Sequence, residues 1–413
     1  MTSLSSSLSI LVLTAAPWLT GCAGGGGPPQ IVFESHPRPG GVDTTFSGGT
    51  NNIWLVGSDG KGLRALTKAT DADSADSEWS TDGSIIVFVS RMDLPQNYAR
   101  RFAGAYNVWR VNANGTDLMP LTTVTDVRLT RFPEWSPDGM SVAFESSRNL
   151  DGSDTENSND TRNIWRVNTD GTNLRPLTNA TAVNADSINP QWSPDGTKIV
   201  FTSFRKMDGT DAGSMAGNIW LVNADGTNLV PITRTTYVSN LDPQWSPDGT
   251  KVLFSSDRAL DGTETRNAAT NLWQVNLDGT GLRPLTNTTT LFVGNCCGRW
   301  APDGGKIVFL SDRKPDGSDG YGLTTNLWRM NSDGSEVMPL TRAKAALAGG
   351  FAPRWSRDGT QVVFYSSRNV DGTDSSNPNH TTNIWRVNAD GTELMPLTTA
   401  TSGADNSSPS FGP

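Results

Sequence analysis

The stretch NPQWSPDGTKIVFTS (residues 189–203) and, after a polar interval, NIWLVNADGTNLVPIT (residues 218–233) carry the reading of the fold. Pro194-Asp195-Gly196 and Ala224-Asp225-Gly226-Thr227 read as tight turns, because Asp and Gly tolerate positive φ. Each turn joins two short runs rich in β-branched and aromatic residues. The unit therefore reads as four antiparallel strands: Asn189 to Ser193 (strand A), Lys198 to Ser203 (B), Asn218 to Asn223 (C) and Leu229 to Thr233 (D). In Ile219-Trp220-Leu221-Val222 successive side chains point to opposite faces, and all four are apolar. A strand of that kind belongs in a sheet covered on both sides.

The unit recurs every 53 to 57 residues. The Trp of Asn-Ile/Leu/Val-Trp stands at Trp54, Trp109, Trp165, Trp220, Trp273, Trp328 and Trp385. The Trp of WSPDG or a close variant stands at Trp79, Trp135, Trp192, Trp245, Trp300 and Trp355, one copy fewer. Four-stranded sheets repeated radially cover one another's faces, so the expected fold is an all-β propeller of four-stranded antiparallel blades. The missing copy says how the ring closes. Ile31-Val32-Phe33, Ile53-Trp54-Leu55 and Leu63 to Thr67 supply strands B, C and D of a first unit, with no strand A ahead of them. Ser408-Pro409-Ser410-Phe411 falls one repeat after Trp355, with Pro two places before the aromatic, as in Pro190 and Trp192. The last strand is expected to complete the first blade, giving seven blades, with six as the alternative.

Composition agrees with many turns: 42 Gly and 24 Pro in 413 residues. The net charge of −9 disfavours a nucleic-acid partner, whose phosphates an acidic chain repels. Leu8 to Trp18 is apolar but too short to span a bilayer, and Leu19-Thr20-Gly21-Cys22 follows it. That arrangement resembles a bacterial lipoprotein signal, which implies lipidation at Cys22, although no Lys or Arg precedes Arg38. The expected organisation is a signal at 1–22, a Gly-rich tether at 23–29 and one propeller at 30–413, monomeric and held at the periplasmic or outer face of a bacterial membrane by its lipid.

WSPDG recurring in register resembles the WD40-like PD40 repeats of the TolB-type propellers, over nearly the whole chain after Pro29. The resemblance implies the fold. TolB itself resembles a six-bladed ring preceded by an α/β domain that engages the Tol machinery, whereas roughly thirty residues precede the first strand here, too few for a domain. The TolB role is therefore not carried over. Propeller-bearing peptidases, which the repeat also resembles, carry a separate hydrolase domain, and no Gly-x-Ser-x-Gly elbow is found in this chain.

Subtraction separates packing from function. Every Trp after Trp18 sits in a repeat position, as do Phe33, Phe88, Phe144, Phe201, Phe254, Phe309 and Phe364 in strand B, and these are expected to pack between blades. With Tyr365 beside Phe364 and Phe411 in the closing strand also set aside, ten aromatics remain, all in or beside B–C loops and D–A connections, which share one face of the ring: Phe46, Tyr98, Phe102, Tyr106, Phe132, Phe204, Tyr237, Phe292, Tyr321 and Phe351. That face is the expected binding face for a protein or peptide, against the alternative that these rings pack small loop cores. The residue before each strand-A Trp runs Glu78, Glu134, Gln191, Gln244, Arg299, Arg354, so the channel is either polarised across its width or lined by unrelated polar residues.

Five B–C loops pair carboxylates around a Gly turn: Asp151 and Asp154, Asp208 and Asp211, Asp261 and Glu264, Asp316 and Asp319, Asp371 and Asp374. They are weak calcium candidates, since calcium takes six or more oxygens and an Asx turn explains the same residues. His36 and His380, the only histidines, lack a third ligand at readable spacing, so no cofactor is expected. Cys296 and Cys297 either close a strained vicinal disulfide or stay reduced. Taken together, the residues point to a non-enzymatic scaffold. The alternative is a glycan-binding or glycan-cleaving propeller.

Overall fold

The computed structural model describes residues 28–36, 50–69, 72–93, 105–125, 127, 129–151, 153, 155–207, 213–291, 293–318, 321–345, 348–371, 381–400 and 405–413. They form seven four-stranded antiparallel sheets. Blade 4 shows the pattern, with Ser187–Trp192, Lys198–Arg205, Gly213–Asn223 and Val230–Pro231 lying side by side in that order. Strand D is two residues long rather than the five read from the sequence. Pro231 brings no N–H to the ladder, and Pro closes six of the seven D strands, Arg64–Ala65 being the exception. In blades 4 to 6 the B–C hairpin runs further than expected, with Arg205 opposite Gly213, Arg258 opposite Arg266 and Arg313 opposite Tyr321. Tyr321 thus begins a strand instead of sitting in a loop.

The ring closes as the register of Phe411 implied. Asp405–Phe411 pairs with Gln30–His36, placing Ile31 opposite Phe411, and Gln30–His36 pairs onward with Asn52–Gly57. The first blade therefore takes its inner strand from the C-terminal end of the sequence and its other three from the N-terminal end. The A strands of successive blades touch all the way round, so A lines the axis. An indole bond stitches the blades together. Trp135 Nε1 donates to the Glu78 carbonyl at 3.3 Å, Trp192 to Glu134 at 3.2 Å, Trp245 to Gln191 at 3.0 Å and Trp355 to Arg299 at 3.0 Å. Trp79 donates to the Ser410 carbonyl at 3.2 Å across the closure.

The core lies between blades. One cluster joins Ile31, Phe33, Trp54, Val56 and Phe411 of blade 1 to Val363, Ile384 and Leu397 from blade 7 and its outer edge. All seven strand-B Phe are fully buried. The Asn of the Asn-Ile/Leu/Val-Trp motif is buried too, and both ends of its amide are bonded. Asn163 Oδ1 accepts from Thr178 Oγ1 at 2.9 Å and from Ala180 N at 2.8 Å, while its Nδ2 donates to the Ala180 carbonyl at 2.8 Å. It ties strand C to the chain leaving strand D. Asn271 does the same with Thr286 and Thr288. Removing such a group strands buried partners, so Asn163→Ala is expected to cost about 2 kcal/mol in urea unfolding, with no change in the slope.

Candidate functional site: the mouth of the central channel

Strand A bulges in every blade. Its third residue, the fourth in the longer Asp405–Phe411, takes a left-handed φ throughout: Asp76 (54°), Phe132 (49°), Asn189 (54°), Asp242 (55°), Cys297 (59°), Ala352 (49°) and Ser408 (49°). None is glycine, so each position costs on the order of 1–3 kcal/mol that the surroundings must hold. In several blades the holder is the residue after the strand-B Phe of the preceding blade. Glu34 Oε1 accepts from Asp76 N, Glu145 Oε2 from Asn189 N at 2.9 Å, and Ser255 Oγ from Cys297 N at 3.4 Å. A bulge re-aims side chains. Here residues at the third and fifth positions of six blades meet around one cavity of about 360 Å³ on the axis.

The cavity wall is divided by charge. Glu78 and Glu134 come from adjacent blades, and Arg299 and Arg354 from two others; all four line the cavity with Gln191. Gln191 Nε2 donates to Glu134 Oε2 at 3.3 Å. Burial, then the Glu78 carboxylate, push Glu134 up to about 8, although Arg354 and Arg299 pull the other way. Burial also raises Glu78 against the same two guanidiniums. Arg299 falls to about 10, through burial first and the neighbouring Arg354 second. Acidic groups share one side and guanidiniums the other, so the wall is polarised in its groups, one of the two alternatives that the sequence left open. Behind the acidic side, Glu34 is buried and rises to about 8, through burial first and Asp76 second. Glu145 is also buried and raised, despite its 2.9 Å ion pair with Arg162. Phe132 and Phe351 stand at the rim, 42% and 38% exposed, and the Phe351 ring lies 5.5 Å from that of Tyr365.

Of the ten loop aromatics, the structure brings two, Phe132 and Phe351, to this cavity. Tyr106 is half-buried under the Arg91 guanidinium, 5.0 Å from its ring centre. Phe204 packs against Gly217, and Tyr237 is 73% exposed. Phe46, Tyr98, Phe102, Phe292 and the side chain of Tyr321 lie outside the described residues, as do Cys22 and His380. His36 ends strand B of the first blade. Among the loop carboxylates, Asp151, Asp261 and Asp316 accept the backbone N–H two residues on, at 2.8–2.9 Å, as Asx turns do. Glu264 accepts from Thr236, and Asp371 from the Asn369 amide. Asp154, Asp208, Asp211, Asp319 and Asp374 lie outside the described residues. Cys296 and Cys297 are unbonded thiols with sulfurs 2.9 Å apart, and Cys297 lines the channel cavity. The sequence reading missed Glu34, Asp76 and Glu145, which look like ordinary strand residues until the bulge is known.

No family model matches the chain. It is 28% identical over 220 residues to the uncharacterized peptidase YuxL of Bacillus subtilis, a stretch covering 46% of this chain and 31% of YuxL. It is 31% identical over 180 residues to the TolB homolog of Chlorobium luteolum, covering 43% of this chain and 33% of that one. The matched stretches thus span about a third of either relative. Among solved structures, TolB from Acinetobacter baumannii aligns with a TM-score of 0.50 at 16% identity, over 88% of this chain and 79% of that one. Puromycin hydrolase aligns at 0.60 and 14% identity, over 90% and 52%. The likeness to YuxL corrects the expectation of a protein without enzymatic activity: that expectation rested on motifs missing from this chain, and the repeat is shared with a protein named a peptidase. By its repeats and its seven closed blades the chain is a β-propeller, similar in sequence to TolB homologues and in fold to TolB.

Proposed function

We propose that the chain is a lipid-anchored propeller of the bacterial envelope that binds a peptide segment of a protein partner at the mouth of its central channel. The observation that carries this reading is the axial cavity, in which two carboxyl groups face two guanidiniums beneath a rim of exposed aromatic rings. A peptide offers matching groups: charged ends or side chains for the polarised wall, and an apolar side chain for Phe132 and Phe351. Aromatic anchors of this kind dominate interfaces. The TolB relatives favour the periplasm, and in this reading the apolar leader and Cys22 supply export and anchoring.

The likeness to YuxL favours a second reading of the same channel, as an entry that admits a peptide to peptidase chemistry. Photocrosslinked envelope extract tests the first reading. Arg299→Gln with Arg354→Gln should reduce partner capture roughly tenfold, the scale of losing one charge-assisted contact, while the melting temperature stays close to wild type. Unchanged capture would remove the channel from the account. Incubating the full chain with fluorogenic peptides tests the second reading. Hydrolysis that falls when Glu78→Gln and Glu134→Gln are introduced would favour it over simple binding.

A further inference from the structure

We propose that Cys296 and Cys297 form a redox-active dithiol on the channel wall that takes a small-molecule disulfide as its substrate and closes to a vicinal disulfide. Three observations place it there. The two sulfurs are already 2.9 Å apart. The left-handed φ of 59° at Cys297 is shared by the same position in the other six blades, so the ring architecture holds this backbone whether or not cysteine occupies it. Cys297 also lines the axial cavity beside Arg299 and Arg354, which Cys296 does not, while both side chains touch the apolar core between blades 6 and 7. One thiol thus faces the channel and the other is held behind it.

The surroundings assign different roles to the two sulfurs. The contact with the Cys296 sulfur, then the positive charge of Arg299 and Arg354, favour ionisation of Cys297 despite burial and Asp242. Cys296 is held protonated by its neighbour, by burial, and by Asp242 and Asp312. Cys297 thiolate attacks one sulfur of the disulfide, forming a mixed disulfide and expelling a thiolate. Cys296 then gives up its proton, attacks Cys297 Sγ and expels the second thiolate. The protein pair is oxidised by two electrons, the substrate is reduced by two, and the two thiol protons leave with the products. Neighbouring Cα atoms lie about 3.8 Å apart, short of the usual disulfide span, so the ring should open again readily in mild thiol.

The test uses the full folded chain, reduced and then exposed to bis(2-hydroxyethyl) disulfide, quenched in acid, alkylated in denaturant and read by peptide mass, which separates Cys22. In wild type the 296–297 peptide should lose two hydrogens and take up no alkyl group, and dithiothreitol should restore both sites. Cys296→Ser should trap one mercaptoethanol on Cys297. Cys297→Ser should be modified roughly tenfold more slowly, as expected for a remaining thiol that does not line the channel. Both cysteines remaining alkylatable in wild type, a stable adduct without closure, or equal rates in the two variants would each overturn the proposal.

Discussion

Removing Asn406 to Pro413 is expected to unfold the whole ring rather than fray one blade. That segment supplies the inner strand of blade 1, where Ile31 pairs with Phe411 and Gln30 accepts from Gly412 N at 2.7 Å. Its loss uncovers the cluster of Phe411, Ile31, Phe33 and Trp54, strands the Trp79 indole N–H whose acceptor is Ser410, and leaves Gln30–His36 as a bare edge. An aromatic deletion alone costs about 3–5 kcal/mol and an orphaned buried donor about 1–3. Together these approach the whole net stability of a typical domain, about 5–15 kcal/mol. Urea unfolding followed by Trp fluorescence should show the truncated chain unfolded, or nearly so, without denaturant. A truncated chain that melts with the full-length protein would contradict the closure.

Replacing Glu34 with Gln is expected to stabilise the protein at alkaline pH and leave it nearly unchanged at pH 4.5. Burial beside Asp76 raises this carboxyl from 4.5 to about 8 in the folded state. The folded chain therefore binds a proton that the unfolded chain has released. The associated stability is complete below about pH 4.5 and is lost as pH rises through 8. Gln keeps the shape and the neutral state, so at pH 9 the variant should exceed wild type by a few kcal/mol, on the scale of about 1.4 kcal/mol for each tenfold change in proton affinity, less what relaxation of the site recovers. Differences between variant and wild type cancel the turn aspartates, such as Asp225 and Asp278, whose depressed values act only in acid. A variant equally destabilised at pH 5 and pH 9 would mean that Glu34 works as a charged hydrogen-bond acceptor instead.

The ring was legible because its parts repeat in register. Phe411 sits where a strand-A Trp belongs, which is enough to assign the closure. The channel residues were legible, since Glu78, Glu134, Arg299 and Arg354 occupy one countable position, but the sequence left their polarity open against six unrelated polar residues. The third position of strand A was not. Asp76, Phe132, Asn189, Asp242, Cys297, Ala352 and Ser408 share a backbone conformation and no side-chain chemistry, so no motif marks them. Glu34 and Glu145 were missed for the same reason: they matter because the next blade's bulged N–H faces them. The loop aromatics looked equivalent because the B–C loops have no register. Only the strand-A bulge distinguishes Phe132 from Tyr237, and only its packing on Tyr365 distinguishes Phe351.

The claim that the channel mouth is the binding surface is tested most directly by a photocrosslinking residue placed at two exposed sites in living cells. One replaces Phe351 at the rim, and the other replaces Met140 in the A–B turn of blade 3, on the opposite face. The account predicts a discrete crosslinked protein from position 351 that disappears when Arg299 and Arg354 become Gln, and none from position 140. Crosslinks from position 140, or crosslinks from 351 indifferent to the two arginines, would contradict it.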